Sequence, residues 1–373
     1  MNLDPETQLA LAGRAPADAL TDNSSARAAL EDTLSSLDGG AGAVACSTGP
    51  ATISTVARLF DTDAHLICAP NCYDGMERIS SLFADADMSA VSYADPSNPA
   101  ALTDAVRPET EALWVATPSL PRLRVVDLEA VAAFADAHDL LLIVDNTVLS
   151  PLLQRPLDHG ADLVVYSTLQ PLSGDAGTEG GAVVARIPQL ADLLDAAVRT
   201  TDAAAIPSDS KRILRGLQTL SVRTQRRETN ARSLAYFLRE HSAVERVCYP
   251  GLRSHPRHEV ARRQQEGYGG IVPFFVDETR TDAAALLGAT EVIDPDASLG
   301  GISSRIDHPA TMSHASLRSE YREALGVTDT LFRLSVGIDS TDDLTADLEQ
   351  AFNSAQPSTT APRKPRESLD VGG

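Results

Sequence analysis

The sequence predicts an α/β protein built around a mostly parallel β-sheet. Short apolar runs alternate along the chain with segments of helical periodicity, which is the order that strand–helix–strand units produce. The runs are apolar at consecutive positions, so both faces of each strand are expected to be buried, as in parallel sheets covered by helices. In such sheets a ligand lies beyond the carboxyl ends of the strands.

The elements of the first part follow in order. A helix is expected over 26–38, after a Ser-rich start, and the glycines at 39, 40 and 42 end it. Another helix is expected over 127–139, in the sequence DLEAVAAFADAHD. The apolar runs that we expect to form strands are 64–69, 88–94, 112–117, 140–147, 161–168 and 180–186.

The second part of the chain continues the alternation on a smaller scale. A long helical segment over about 209–240 follows IPSDS, where Ser208 or Asp209 could cap it. A turn-rich stretch, YPGLRSHPRHE, then leads to strands expected over 269–276 and 331–338. We therefore expect a short N-terminal arm, a large domain, a smaller C-terminal α/β domain and a disordered tail rich in Ser, Pro, Thr and Arg. The corresponding ranges are 1–25, 26–218, 219–354 and 355–373.

Charge is the strongest global signal. Fifty-two acidic residues face thirty-one basic ones, a formal net charge of −21. Such a surface repels nucleic acids and anionic membranes, so neither is expected as a partner. Lys211 and Lys364 are the only lysines, and the other basic residues are arginines. This composition suits a cytoplasm rich in salt, where cations screen the self-repulsion; the alternative is an ordinary acidic cytosolic protein.

Compartment and metal signals are weak. Residues 1–25 mix charged residues with alanine, and no run of about 18 apolar residues could cross a membrane. The four cysteines form no CxxC pair and no zinc spacing, which indicates a reducing, cytoplasmic location. His255 and His258 stand beside Glu259, but no third ligand of matching spacing is near, so a surface turn is expected there instead of a metal site.

Three positions could carry chemistry on their own evidence. Asp145 ends the apolar strand LLLIV, where a carboxylate needs a cationic ligand atom or a nearby helix to satisfy it. The CSTGP turn opens a helix around Gly49 and could cradle a phosphate, although Pro50 donates no N–H and is also a good helix starter. Arg333 lies in an apolar strand and needs an anion, either a substrate carboxylate or a buried acidic side chain.

Taken in order, the motifs resemble the trans-sulfuration family, which includes cystathionine γ-synthase, cystathionine γ-lyase and methionine γ-lyase. The resemblance runs from about residue 26 to 353 and implies the fold type I architecture of pyridoxal-phosphate enzymes, which is aspartate-aminotransferase-like, with a mostly parallel seven-stranded sheet and a smaller C-terminal α/β domain. It also implies an oligomer, usually a tetramer of active-site dimers. The matching segments include CSTGPATIS, CYDGMERI, LLLIVDNTVLSPLLQRPLDHGADLVVYS, LRGLQTLSVR, VCYPGLRSHPRHEVARRQ, SLGGISS, HPATMSH and LFRLSVGIDSTDDLTADLEQAF.

The resemblance implies a set of contacts to pyridoxal phosphate. Asp145 would pair with the pyridine nitrogen and keep the ring protonated, which makes it a better electron sink. Tyr73 would stack on the ring. Gly49 and Ser167 would touch the phosphate, and Thr147 would also contact the cofactor. An amino acid would be the substrate.

The sequence departs from the family pattern at the centre of this site. Where the family has H-S-A-T-K-Y, this chain has residues 166–171, so Gln170 replaces the lysine that holds the cofactor and Leu169 replaces a phosphate-binding threonine. Leu120 replaces an asparagine that would contact the cofactor, and Pro50 removes a backbone donor. The short N-terminal segment also lacks the Tyr and Arg that normally reach the phosphate across the dimer.

These departures leave two classes of function. The resemblance places Arg333 on the substrate carboxylate and Ser298 near the reacting centre, which suits an enzyme that uses pyridoxal phosphate, without a covalent anchor, on a sulfur-containing amino acid. A glutamine, however, is neither a nucleophile nor a proton carrier. Lys211 opens a different helix and Lys364 lies in the tail. We therefore favour a non-catalytic homologue, a homo-oligomer or a subunit that pairs with an active paralogue.

Overall fold

The computed structural model describes residues 25–72, 90–175 and 177–357. Two β-sheets, each with its own set of helices, follow one another along the chain. The strands are β1 (Gly42–Cys46), β2 (His65–Cys68), β3 (Ala90–Tyr93), β4 (Thr110–Ala116), β5 (Leu141–Asp145), β6 (Leu163–Tyr166), β7 (Gly181–Ala185), β8 (Val244–Val247), β9 (Ile271–Val276), β10 (Asp294–Pro295), β11 (Arg305–Asp307) and β12 (Leu331–Ser335). The helices are α1 (Ala26–Asp38), α2 (Gly49–Ala57), α3 (Pro99–Ala105), α4 (Leu128–Ala137), α5 (Ser150–Leu153), α6 (Gln170–Ser173), α7 (Pro188–Thr201), α8 (Pro207–Leu217), α9 (Leu220–Glu240), α10 (His258–Gln264), α11 (Ala283–Ala289), α12 (Ser319–Leu325) and α13 (Thr341–Ser354).

The first sheet has seven strands in the order β1-β7-β6-β5-β4-β2-β3. Strand β7 runs antiparallel to both of its neighbours, and the other pairs are parallel. The mostly parallel, seven-stranded sheet expected from the sequence is therefore confirmed. Residues 142–145 of β5 and 163–166 of β6 are all buried, as expected for strands with helices on both faces.

One edge of this sheet depends on a close approach that needs a glycine. A Cβ on Gly181, the first residue of β7, would lie 2.1 Å from the Thr52 hydroxyl and 2.8 Å from the Tyr166 carbonyl oxygen. The lack of a side chain lets β7 fit between α2 and β6. The neighbouring strand β1 was missed by the sequence analysis, because GAVAC is short and contains small residues, and Gly42 was assigned only to the end of a helix.

The second sheet has five strands in the order β10-β11-β12-β9-β8. Its core joins apolar residues of β9 and β12 with the inner faces of α9 and α13, including the stacked rings of Phe274 and Phe332. Strands β9 and β12 were expected; β8, β10 and β11 were not, because they are two to four residues long and mostly exposed or polar. The domain boundary expected near residue 218 stays a prediction.

The helices over 207–240 and the residues after α13 differ from what the sequence predicts. The segment expected as one helix over 209–240 is two helices, α8 and α9, separated at Gln218–Thr219. Neither Ser208 nor Asp209 caps α8; the helix begins at Pro207, whose fixed φ favours the first turn, and its N-cap residue Ile206 makes no side-chain bond. In the expected tail, Ala355 is buried at the end of α13, and 358–373 lie outside the described residues.

A buried network of amide side chains joins the two parts of the molecule at the end of β5. The Gln154 Nε2 donates to the Thr117 carbonyl oxygen at 2.7 Å, and its Oε1 accepts from Gln264 at 3.2 Å and Gln265 at 3.1 Å. Asn146 donates to the Gln154 carbonyl oxygen at 2.7 Å. The loops that follow β4 and β5 are thus fixed to the turn after α10. Over the described residues, no helix is long and apolar enough to cross a membrane.

Candidate active site

The carboxyl ends of β4, β5 and β6 open onto a cavity of about 180 Å³. This is the position at which parallel α/β sheets bind ligands. Three residues predicted from the sequence, Asp145, Thr147 and Ser167, line it together. The cavity also contains Asn71, Leu120 and Leu299, so both parts of the molecule contribute to its wall.

Asp145 is held rigidly at the base of this cavity. Its side chain is 7% exposed, and its Oδ1 accepts a hydrogen bond from the Thr147 backbone N–H at 2.9 Å. The Thr147 hydroxyl in turn lies 3.0 Å from the Ser167 hydroxyl and accepts from the Ser167 backbone N–H at 2.8 Å. A buried carboxylate and two hydroxyls therefore share one preorganised corner, which can bind a cationic ring atom and an oxyanion.

Gln170 is the first residue of α6, three positions beyond Ser167. Its backbone N–H donates to the Thr168 hydroxyl at 3.2 Å, and its side chain is half-buried. Gln170 is not among the residues that line the cavity, whereas Thr168 is. Leu169, between them, is fully buried in the apolar core. The chain thus presents an aliphatic side chain inward and an amide at the start of α6.

Arg223 on α9 fixes α6 in place. Its guanidinium donates to the carbonyl oxygens of Pro171 at 3.3 Å and Leu172 at 2.7 Å, and to that of Gly216 on α8 at 2.8 Å. Burial lowers the pKa of Arg223. One cation thus joins two main-chain carbonyls of α6 to one of α8.

The CSTGP turn begins α2, as expected. The Thr48 hydroxyl caps the helix by accepting from the Ala51 backbone N–H at 3.2 Å, and Pro50 stands in the first turn. Gly49 does not line the cavity that contains Asp145. The helix-starting role of this turn is thus evident in the structure, while the phosphate contact of Gly49 stays a prediction.

Arg333 makes the buried ion pair that was the alternative to a substrate contact. One of its terminal nitrogens lies 2.9 Å from the Asp307 Oδ2, and the two side chains are 2% and 1% exposed. The same nitrogen donates to the Ala297 carbonyl oxygen at 2.6 Å. The Arg333 Nε is buried and has no hydrogen-bond partner among the described residues. A substrate carboxylate at Arg333 stays a prediction.

Ser298 lies in the loop that approaches the cavity and is engaged by charged neighbours. Its backbone N–H donates to Asp296 at 2.6 Å, and its hydroxyl accepts from Arg305 at 2.7 Å. Burial alone would raise the pKa of Asp296, but the hydrogen bonds from Ser298 and the charges of Arg305 and Arg333 lower it overall. Leu299, the next residue, is the one that reaches the cavity wall.

Tyr73, expected to stack on the cofactor ring, lies outside the described residues. His255 was expected on a surface turn, but it is only 9% exposed: its Nε2 donates to the Leu123 carbonyl oxygen at 3.2 Å and its Nδ1 accepts from the Arg257 N–H at 3.2 Å. Burial lowers the pKa of His255, consistent with the neutral ring that these two bonds need. No cluster of metal-ligating side chains occurs in the part of the chain that the structure describes.

A buried carboxyl group and a buried phenol, which were not expected from the sequence, are hydrogen-bonded to each other behind the cavity. The Tyr166 hydroxyl lies 2.8 and 2.9 Å from the two carboxylate oxygens of Asp38, the last residue of α1, and accepts from the Asn146 side chain at 3.3 Å. Burial raises the pKa of Asp38 to about 7, against the opposing effect of the Tyr166 hydrogen bond. Asp38 precedes a glycine stop and reads as a helix end, so its burial had no sequence signal.

Comparison with known proteins agrees with the architecture. The model of the family described as Cys/Met metabolism PLP-dependent enzyme matches residues 22–353. The chain is 37% identical over 328 residues to a cystathionine gamma-lyase of Dictyostelium discoideum, covering 88% of this chain and 84% of that protein. It is 38% identical to a cystathionine beta-lyase of Lactococcus lactis subsp. cremoris, over 87% of this chain and 86% of the other.

Solved structures of the same kind superpose closely. A cystathionine gamma synthase from Xanthomonas oryzae pv. oryzae, in complex with aminoacrylate and cysteine, has a TM-score of 0.85 at 37% identity, over 90% of this chain and 87% of that chain. A cystathionine gamma-lyase from Lactobacillus plantarum, complexed with L-serine, also has a TM-score of 0.85, at 34% identity over 88% and 86% of the two chains.

Proposed function

This chain belongs to the Cys/Met metabolism PLP-dependent enzyme family, and we propose that it is a non-catalytic member that binds pyridoxal phosphate without covalent attachment. The observation that carries the proposal is the amide of Gln170 at the start of α6, directly beyond the corner formed by Asp145, Thr147 and Ser167. Lysine-dependent C–S elimination or replacement on a sulfur amino acid is therefore not expected.

The residues present fit a non-covalently bound cofactor. The buried Asp145 carboxylate would pair with a protonated ring nitrogen, and the Ser167 and Thr147 hydroxyls would face its polar substituents. When bound, pyridoxal phosphate supplies an electron sink for charge that develops on a substrate carbon. The chain's own contribution is to hold the ring and keep its nitrogen charged.

The described residues of this site include no lysine that could transfer protons. The family's lysine provides an amine that can attack a carbonyl and move protons at the substrate carbons. The Gln170 amide does neither at neutral pH. Lys211, on α8, does not line the cavity that contains Asp145, and Lys364 lies outside the described residues.

Absorption spectroscopy tests both halves of the proposal. The protein is purified in concentrated KCl, mixed with one equivalent of pyridoxal phosphate and passed through a desalting column, and spectra are recorded with and without cystathionine. Retention of cofactor with no substrate-dependent visible band is expected. Loss of the cofactor on the column contradicts the binding half, and a substrate-dependent band contradicts the non-catalytic half.

Borohydride treatment of the same sample adds a chemical test. Because no lysine among the described residues lines the cavity, peptide mass spectrometry should find no stoichiometric cofactor adduct on the chain. An adduct on Lys211 would overturn the proposal, since it would show that an amine from another helix serves the site.

The second candidate, an enzyme that acts on a sulfur-containing amino acid without a covalent anchor, is favoured by the buried Asp145 beside a cavity of about 180 Å³. Gln170→Lys distinguishes loss of one group from loss of the whole pocket. If only the amine is missing, this variant should gain a reducible cofactor adduct, whereas Gln218→Lys on the exposed turn between α8 and α9 should not.

We also propose a cytoplasmic protein whose quaternary partner is either a second copy or an active paralogue. A non-catalytic chain would then contribute structure or regulation to the assembly. Light scattering measures the oligomeric state of the purified protein, alone and after co-expression with a lysine-containing paralogue. A homo-oligomer of the protein alone, or a mixed oligomer of fixed stoichiometry after co-expression, is expected. A monomer under both conditions would contradict the proposal.

A further inference from the structure

A second and larger cavity, of about 640 Å³, lies between the two parts of the molecule. Its wall includes the hairpin-like loop 117–126 after β4, strand β8, and the turn 254–257 before α10. Asn71 and Ser119 separate it from the cavity at Asp145, since both line the two cavities and the Asn71 amide donates to the Ser119 hydroxyl. We name it the interdomain cavity.

The lining of the interdomain cavity is positively charged, in contrast to the acidic chain as a whole. Among the described residues its lining contains five arginines and two carboxylates, Asp95 and Glu245; the arginines are Arg122, Arg124, Arg239, Arg246 and Arg257. The whole chain carries a formal charge of −21, so this concentration of cations is a local exception. Like charges gathered in one concave site cost free energy unless an anion offsets them.

The described residues supply little of that anion. Arg239 is paired with Glu240, at 2.6 Å between nitrogen and oxygen, but Arg122, Arg124, Arg246 and Arg257 have no carboxylate within 4.0 Å among the described residues. Asp95 accepts hydrogen bonds from Ser97 at 2.7 and 2.9 Å. Burial alone would raise the pKa of Asp95, but these bonds together with the charges of Arg124 and Arg257 lower it, so Asp95 offsets part of the positive charge.

Arg122 and Arg246 are held side by side by the cavity wall. The Arg246 guanidinium stacks 4.2 Å from the centroid of the Phe275 ring, and the Arg122 guanidinium lies 5.9 Å from the same centroid. The Arg122 Nε is buried and has no partner in the described part of the chain. Burial and the nearby charges of Arg124 and Arg246 lower the pKa of Arg122, because a positive charge is unfavourable beside these two cations.

The wall is rigid enough to hold this arrangement. Backbone hydrogen bonds of 2.9 and 3.1 Å join Ser119 and Arg124 across the loop, so Arg122 and Arg124 project from a closed hairpin. The buried His255 ties the turn 254–257 to the same hairpin through the Leu123 carbonyl. A preformed site of this kind loses little entropy when a ligand binds.

From these observations we infer that the interdomain cavity is a binding site for a small anion with at least two negative charges, carried by phosphate or carboxylate groups. Planar guanidinium groups bind both chemistries in bidentate geometry. The enclosed volume suits a metabolite, and the acidic surface outside it disfavours a nucleic acid. The inference does not depend on the proposed function of the site at Asp145.

Calorimetric titration at fixed KCl tests the site with two probes, inorganic pyrophosphate and citrate, and with acetate as a singly charged control. One equivalent of pyrophosphate or citrate should bind per chain, with acetate much weaker. Arg124→Gln and Arg246→Gln change exposed side chains, so they should fold, and each should weaken binding about tenfold or more. The matched control Arg253→Gln removes an exposed arginine of the same turn region that does not line the cavity, and should leave the affinity unchanged.

Ser167→Ala separates this site from the one at Asp145, because it alters only the latter and should not affect pyrophosphate or citrate binding. Binding of pyrophosphate alone assigns a phosphate ligand, and binding of citrate alone assigns a polycarboxylate. Absence of binding by both probes, as would follow if an acidic segment of this chain or of a second copy filled the cavity, overturns the inference. An affinity unchanged in both Arg124→Gln and Arg246→Gln, or lost in Ser167→Ala, overturns it as well.

Discussion

Replacing Asp38 with asparagine should change how the stability of the protein depends on pH. Asp38 is fully buried, and burial raises its pKa from an ordinary 3.8 to about 7. The folded state therefore binds a proton more tightly than the unfolded state. Stability is lost as the pH rises from about 4 to about 7, because ionising this carboxyl is more costly in the folded protein than in the unfolded one.

The size of the effect follows from these two pKa values. Between pH 5 and pH 8 the linkage relation gives a loss of roughly 2.5 kcal/mol in the free energy of unfolding from this one group. Asparagine cannot ionise, and its amide oxygen can still accept from the Tyr166 hydroxyl that now lies 2.8 Å from the carboxylate. The unfolding free energy of Asp38→Asn minus that of the original protein should therefore rise by about that amount over the interval.

Urea unfolding at fixed KCl, repeated at each pH, measures this difference, and subtraction removes the contributions of histidines common to both proteins. Asp32→Asn is the matched control, because it removes an exposed carboxylate from the same helix and should give a flat difference. Parallel curves for Asp38→Asn and the original protein would refute the argument, since they would mean that Asp38 ionises as easily inside the fold as outside it.

Four further outcomes follow from the structure. Asp347→Ala removes a buried carboxylate that accepts hydrogen bonds from three successive backbone N–H groups at 2.8–3.0 Å. The variant should lower the free energy of unfolding by about 2–4 kcal/mol above pH 5, measured by urea unfolding. This loss should become smaller in acid, because the pKa of Asp347 is lowered in the folded state. Gly216→Ala places a Cβ 2.1 Å from the Ser173 carbonyl oxygen and should lower the melting temperature, whereas Gly288→Ala, with open space around it in α11, should raise stability by about 0.5–1 kcal/mol. Asp145→Asn should weaken retention of pyridoxal phosphate about tenfold, measured by desalting and absorbance, and unchanged retention would exclude Asp145 from the site. Circular dichroism along a KCl series should show the fold weakening as salt is removed; a salt-independent melting temperature would favour the ordinary acidic protein.

The large sheet could be predicted from the sequence because its strands are continuous apolar runs. The strand that ends at Asp145 is an example: LLLIV is a short continuous apolar run typical of a buried strand, and the carboxylate that follows it was expected at the ligand-binding edge. Strands β8, β10 and β11 could not be predicted, because they are two to four residues long and their pairing is set by neighbouring strands of a small sheet.

The site was predictable only as far as its residues follow strands directly. Asp145 ends β5 and was expected from that position, whereas Thr147 and Ser167, which follow β5 and β6, were expected from the family resemblance; the three meet in one cavity. The position of Arg333 beside Asp307 could not be chosen from sequence, because an arginine in an apolar strand signals only that some anion is near. The arginines of the interdomain cavity come from separate segments, and single positions among many arginines give no periodic signal.

The attachment of α6 to Arg223 has a genetic consequence. Every hydrogen bond from that guanidinium to α6 goes to a main-chain carbonyl, so these bonds can form whichever side chain stands at residue 170. The glutamine codons CAA and CAG differ from the lysine codons AAA and AAG at one base. Under the proposed function, one base change in the codon of Gln170 is therefore enough to place a lysine amine near Ser167 and Thr168. The same mutation could arise, and be exposed to selection, repeatedly.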